Sequence, residues 1–401
     1  MTENTAATQG TVPFARECPF SPPPAYARIR EEEPVCRVEL PNKETAWALT
    51  SYADVRAMLG DTRFSSDNRH PNYPSFSLEK PTEQPIQTMI NLDAPAHNEA
   101  RRKVISEYTA KRIKELRPQV QRIVDARLDS ILAGPRPADL VAELAVPVPA
   151  LVMCEQLGVP LSEHQFFLSN SVKLVSITAS ETERDEAFGS LAGYLMNLIA
   201  TKEEEPGDDL LSRQIAKNRE SGDYDRMSLM GLAFLLLIAG HETSANTISL
   251  GTALLLRHPE QMERVRADPS LTPAMVEEVL RYFTVSELAM VRVATEDVEI
   301  GGRVIRAGEG VLGLGNAANH DPSVFPDPDT FDIDRPARNH LAFGHGPHQC
   351  LGQSLARLEF QVVFDSLLAR LPGLKLAVPF DELRFKGEEG VYGLHELPVS
   401  W

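Results

Sequence analysis

Basic residues are under-represented in this 401-residue chain: 40 Lys and Arg stand against 57 Asp and Glu, a formal net charge of −17. That balance argues against a nucleic-acid binder, which would present a basic surface. It favours solubility and is silent on fold. Cysteine is scarce as well. Cys18, Cys36, Cys154 and Cys350 are scattered, without the paired spacing of a disulfide framework. Long hydrophobic runs are missing: the most apolar stretch, 229–239, falls short of a bilayer span and leads straight to His241 and Glu242. The first twenty residues hold neither an apolar run nor a basic segment, so we expect no signal peptide and no membrane anchor, and a soluble, cytoplasmic protein. No repeat, low-complexity run or flexible linker interrupts the chain. Nor is there a Gly-x-Gly-x-x-Gly at a strand-to-helix junction, so the chain carries no dinucleotide-binding fingerprint of its own.

What is present is mostly helical periodicity. Leu116, Val120, Ile123, Val124, Leu128, Ile131 and Leu132 make one apolar helix face, and Phe188, Leu191, Leu195, Leu198 and Ile199 make another. A long helix is expected from about Ser228 to just before Pro259, apolar nearly all round in its first half and therefore central. A last strong helix should run from about Leu351 to Leu371. Short strands are expected over 35–65, over 291–314 with glycine-bearing turns, and over 378–401. Residues 18–36, rich in proline and charge, read as an irregular lead-in. Four prolines across 65–90 exclude long regular elements there, and the apolar content of that segment suits a lid. The fold class is therefore mainly α with a smaller β part, in a single domain over 1–401.

Residues 343–352 read Phe-Gly-His-Gly-Pro-His-Gln-Cys-Leu-Gly. Gly344, Gly346 and Gly352 permit unusual dihedrals and close approach to something flat. Cys350 lies just before the last helix, whose free N–H groups and dipole favour a thiolate. Two chemistries use such a thiolate. One is haem ligation; the other is zinc, with His340, His345, His348 and Cys350 as potential ligands, although no second cysteine is near and the spacing matches no common zinc pattern.

The loop resembles the cytochrome P450 signature Phe-Gly-x-Gly-x-His-x-Cys-x-Gly at every fixed position, and motifs along nearly the whole chain follow the family's order. The likeness is to soluble actinobacterial members. It implies the cytochrome P450 fold, haem b with Cys350 as the iron ligand, and O2 as co-substrate. It also implies electrons from NAD(P)H through a ferredoxin and a ferredoxin reductase. Ala239-Gly240-His241-Glu242-Thr243 resembles the oxygen-activation motif: small Ala239 leaves room for dioxygen, Thr243 offers a hydroxyl, and Glu242 is an acid able to relay protons. That acid–alcohol pair argues against two alternatives, a peroxide-using haem enzyme and a non-catalytic haem gas sensor or electron carrier.

By the same resemblance His97, Arg101, Arg292 and His348 would hold the haem propionates, for which arginine's two-pronged donor geometry is suited. Phe343, Gly344, Gly352, Ala239 and Gly240 would flank the ring. Glu278 and Arg281, one helical turn apart, with Arg335, would form a structural ion-pair group. Phe76, Ile86, Met89, Ile90, Leu235, Leu236, Leu288, Ala289, Met290, Val391 and Tyr392 would line a largely apolar pocket. The substrate would then be a hydrophobic small molecule, and the protein a monomer. Arg101, Arg102, Lys103, Lys111, Arg112 and Lys114 form a local basic cluster in an acidic chain, suited to docking an acidic ferredoxin.

Overall fold

The computed structural model describes residues 8–76, 87–175, 179–386 and 391–401. Its helices, in chain order, are α1 (Pro24–Glu32), α2 (Tyr52–Gly60), α3 (Ala96–Val104), α4 (Ala110–Ala133), α5 (Pro147–Leu157), α6 (His164–Val175), α7 (Glu181–Glu204), α8 (Leu210–Ser221), α9 (Arg226–Arg257), α10 (Pro259–Ala267), α11 (Thr272–Tyr282), α12 (Gly315–Asn319) and α13 (Gln353–Arg370). The strands are β1 (Val35–Glu39), β2 (Thr45–Leu49), β3 (Phe64–Ser65), β4 (Ala138–Asp139), β5 (Val291–Ala294), β6 (Val298–Ile300), β7 (Arg303–Ile305), β8 (Gly310–Gly313), β9 (Lys375–Leu376) and β10 (Pro398–Ser400). Contacts group the chain into two compact units: 1–98 with 274–350 and 385–392, and 99–273 with 351–384 and 393–401.

The first unit holds a five-stranded sheet in the order β1-β2-β8-β5-β3, with β2 and β8 parallel and the other pairs antiparallel. Its apolar side is continuous: Val35, Trp47, Leu49, Val311 and Met290 pack with Val55 and Met58 of α2. Ser51 caps α2 by accepting the Asp54 N–H at 3.1 Å. Residues 18–36 are not irregular throughout. Pro23 and Pro24 fall at the N-cap and first turn of α1, where proline's missing N–H has no partner to lose, and Tyr26 and Ile29 bury one face of the helix.

The second unit is helical. Helix α9 starts two residues earlier than the periodicity suggested, at Arg226, because Asp225 caps it by accepting the Ser228 N–H at 2.8 Å. At 32 residues it is about 48 Å long. Burial is continuous over 244–255 rather than in the first half. The reason is side-chain size: Ser244, Ala245, Ser249, Gly251 and Ala253 let neighbouring helices approach from all sides, whereas Phe234 and Ile238 remain partly exposed. Taken whole, α9 is long and apolar enough to cross a membrane by length and composition, but it is largely buried here. The C-terminal strand β10 pairs with both β9 and β4, the latter a two-residue strand between α4 and α5.

Candidate active site

The cysteine loop closes on itself. Cys350 N–H donates to the Phe343 carbonyl at 2.8 Å, Gln349 N–H to Gly346 at 3.0 Å, and Gly344 N–H to Leu341 at 2.8 Å. Gly346 has φ +71°, and a Cβ there would sit 2.4 Å from the Leu59 carbonyl oxygen. Only glycine satisfies both demands. Cys350 itself is partly exposed, and α13 begins three residues later. Among the described residues no three His, Cys, Asp or Glu side chains converge as a metal cage would require, which removes support from the zinc alternative.

Two of the expected propionate residues meet directly: the rings of His97 and His348 lie 4.0 Å apart between centroids. His97 sits in the first turn of α3, and Asp93 braces the approach by accepting the Ser66 N–H at 2.8 Å and the Ser65 hydroxyl. Arg101 follows one turn later, half-buried. Arg292, on β5, is only 7% exposed. Burial pulls its guanidinium pKa below the ordinary value, partly opposed by Tyr73 and Asp93. Its Nη1 donates to the Val291 carbonyl at 2.7 Å. Desolvation of a buried cation is costly, and a further carboxylate at this guanidinium would offset part of that cost.

In the second unit, Ala239 is exposed near the middle of α9, with Thr243 partly exposed one turn on. Thr243 Oγ1 donates to the Ala239 carbonyl at 2.9 Å. Gly240 is closely packed: a Cβ there would lie 3.0 Å from Met153 Sδ, so the Met153 side chain would have to give way. Glu242 is 8% exposed. His241, between them, has its Nδ1 3.3 Å from Ser171 Oγ of α6.

Glu278, Arg281 and Arg335 come together. Arg281 donates two hydrogen bonds of 2.7 Å to Glu278 with both side chains fully buried. Arg335 Nε adds a third at 3.2 Å. Glu277 and His340, paired at 3.1 Å and buried, were not singled out as a pair from sequence. Their separation of 63 residues leaves no local pattern to find them by.

The expected pocket residues divide. Leu235, Leu236 and Met89 are buried, and Ile90 is 53% exposed. Phe76 and Leu288 pack, half-buried, against one core cluster of the first unit. Ile86 lies outside the described residues. Met290 packs its side chain into the sheet core against Gly313 and Gly315, whereas the adjacent Ala289 is exposed. Tyr392 is also committed elsewhere. Its hydroxyl donates to the Pro19 carbonyl at 2.7 Å, Arg16 lies 4.1 Å over its ring, and burial pushes its phenol up to about 12. Val391 is half-buried.

A family model described as Cytochrome P450 matches residues 161–372. The chain is 45% identical to the Vitamin D3 dihydroxylase of Streptomyces griseolus over the whole length of both. It is 40% identical to the 20-oxo-5-O-mycaminosyltylactone 23-monooxygenase of Streptomyces fradiae, over 97% of this chain and 92% of that one. The crystal structure of cytochrome P450 MoxA from Nonomuraea recticatena superposes with a TM-score of 0.92 at 52% identity, covering 98% of each chain. This chain belongs to the cytochrome P450 family. It is a haem b monooxygenase: one atom of O2 enters a hydrophobic substrate and the other leaves as water, with electrons reaching the enzyme from NAD(P)H through redox partners. The residues fit the cofactor: Cys350 offers a partly exposed sulfur on a hydrogen-bonded loop, and Arg292 is a buried cation suited to a carboxylate.

Proposed function

We propose that this cytochrome P450 is a soluble, cytoplasmic, monomeric hydroxylase of a hydrophobic natural product or drug-like molecule, acting as one domain and served by a ferredoxin and ferredoxin reductase. Cys350 would hold the haem iron through its sulfur. The observation that carries the assignment is its loop, which matches the family signature and is closed by the Cys350–Phe343 hydrogen bond. Bound haem supplies the oxidation chemistry, which a thiolate ligand directs toward O–O cleavage. His97, Arg101, Arg292 and His348 bind its propionates.

Glu242 brings protons from solvent, and Thr243 orients them. With its own hydrogen committed to the Ala239 carbonyl, Thr243 Oγ1 can only accept on its open side, so it orients a proton donor. Leu235, Leu236, Met89, Ile90, Phe76, Leu288, Ala289 and Val391 contribute apolar surface that excludes water and positions the substrate. The substrate class is supported by relatives named for acting on vitamin D3 and a mycaminosyltylactone. The cation cluster on α3 and α4 serves the ferredoxin, with Arg102, Lys111 and Lys114 exposed.

The deciding measurement is the absorption spectrum of the reduced, CO-bound protein. A red-shifted thiolate-type Soret band is expected, and its loss in a Cys350→Ala variant that still folds. Folded wild-type protein without that band would overturn the ligand assignment. Spin-shift titration with secosteroid and macrolide probes then tests the substrate class. NAD(P)H consumption that follows ligand addition only in the presence of a ferredoxin chain separates this reading from a peroxide-using enzyme or a sensor.

A further inference from the structure

His340 lies ten residues before Cys350 and is 6% exposed; Glu277, on α11, is 5% exposed. His340 Nε2 is 3.1 Å from Glu277 Oε2, and the Ala342 N–H points at His340 Nδ1 across 3.1 Å. A backbone amide can only donate. Nδ1 is therefore the bare nitrogen, so Nε2 carries the hydrogen and donates it to the Glu277 carboxylate. The pair thus fixes both the tautomer and the plane of the imidazole.

What that imidazole holds is the start of the cysteine loop. Its ring packs against Phe343, with centroids 5.7 Å apart, and Ala342 is the residue next to Phe343. Leu341 N–H is held in turn by Asn319 Oδ1 at 2.8 Å, and Asn319 Nδ2 is tied to Thr284 Oγ1 at 2.7 Å. The Phe343 carbonyl then receives the Cys350 N–H at 2.8 Å. A continuous path leads from Glu277 through His340 and the backbone of residues 342 and 343 to the amide of Cys350. Glu277 is also the neighbour of Glu278, so α11 braces two segments at once: its Glu278 holds Arg335 and the Asp332 N–H, and its Glu277 holds the loop.

We propose that Glu277 and His340 are positioning residues for the Cys350 thiolate: they set the loop geometry on which correct axial ligation depends, beyond any contribution to folding. The inference rests on the reading of Cys350 as the iron ligand. Removing the imidazole would leave the part-buried Ala342 N–H without this acceptor and let the 341–342 peptide rotate, which shifts the backbone of residues 342–343 and with it the carbonyl that orients Cys350. An Asn at 340 can place Oδ1 near the Nδ1 position and still accept from Ala342.

The test uses purified holoenzyme of wild type, His340→Leu, His340→Asn and Glu277→Gln, with haem content, thermal midpoint, reduced CO spectrum and haem reduction potential measured on each. In His340→Leu the ratio of thiolate-type to thiol-type CO complex is expected to fall by about threefold to tenfold, the range that follows from one part-buried donor left unsatisfied. His340→Asn should recover most of that ratio, and Glu277→Gln should shift the potential with a smaller loss. If the haem-loaded variants keep the wild-type ratio and potential while only the thermal midpoint drops, the pair is merely structural and the proposal fails. Should His340→Leu not fold, the near-isosteric Glu277→Gln decides alone: an unchanged ratio and potential overturn the inference. A wild-type protein lacking the thiolate band would instead sink the ligand assignment itself, so the two failures are distinguishable.

Discussion

Replacing Arg281 should be among the most destabilising changes available outside the haem residues. Its guanidinium is fully buried. It donates to both Glu278 oxygens at 2.7 Å, to the Asn319 and Pro328 carbonyls at 2.9 and 2.8 Å, and to the Thr330 carbonyl at 3.4 Å. Breaking a buried pair by deleting one partner costs about 3–5 kcal/mol. Glu278 would keep Arg335 and the Asp332 N–H, which moderates the loss. Three carbonyls losing a donor push it back toward the upper end. Against a total stability of about 5–15 kcal/mol, Arg281→Ala should leave little folded holoprotein. Arg281→Lys retains the charge without the flat two-pronged donor and should lose roughly 2 kcal/mol. Urea unfolding, followed by far-UV circular dichroism and by haem absorbance, measures both. Because the partners act as a unit, Glu278→Gln combined with Arg281→Met should cost less than the sum of the single changes, by more than about 1 kcal/mol. An Arg281→Lys protein as stable as wild type, or an additive cycle, would refute the account.

Three further outcomes are expected. Thr243→Ala should retain haem but divert electrons to peroxide, lowering product formed per NAD(P)H; undiminished coupling would remove Thr243 from the proton path. Charge reversal at Arg102 and Lys103 should slow ferredoxin-driven turnover more than peroxide-driven turnover, and equal effects would count against docking there. His320 offers a pH test: burial first, then the charge of Arg281, hold its imidazole down at about 3 instead of 6.5. The unfolded chain therefore binds the proton first, and stability falls as pH drops from 6.5 toward 3. Between pH 7 and pH 5 wild type should lose about 2 kcal/mol more than His320→Leu, and parallel pH profiles in urea unfolding would contradict the buried neutral state.

Legibility followed the range of the interactions involved. Local features could be read directly: the Ser51 cap, the strand pair at 35–49, the apolar stripe of α4, the cysteine loop and the Ala239–Thr243 motif each reside in a few consecutive residues. Arg335 could be matched to Glu278 only through family resemblance, since 57 residues separate them. The direction a side chain takes in a short irregular stretch was harder. Met290 and Ala289 are neighbours with opposite fates, one filling the sheet core and the other exposed, because the turn from the 287–289 segment into β5 sets which of them faces inward. Helix α1 was missed because its prolines lie at the start, where they are harmless, rather than inside.

By itself the sequence determined the chemistry this protein is equipped for: a lone cysteine on a glycine-shaped loop ahead of a helix, and an acid and an alcohol side by side on another helix. Those depend on residue type and short spacing, which a chain carries wherever it folds. Tertiary structure decided the partners. It set Glu277 against His340, gave Arg292 a buried position near Tyr73 and Asp93, committed the Tyr392 hydroxyl to Pro19, and made the second half of α9, not the first, the continuously buried one. Burial and pairing are properties of packed surfaces, and a polar group's partner is chosen by whichever distant segment packing brings within about 3 Å of it.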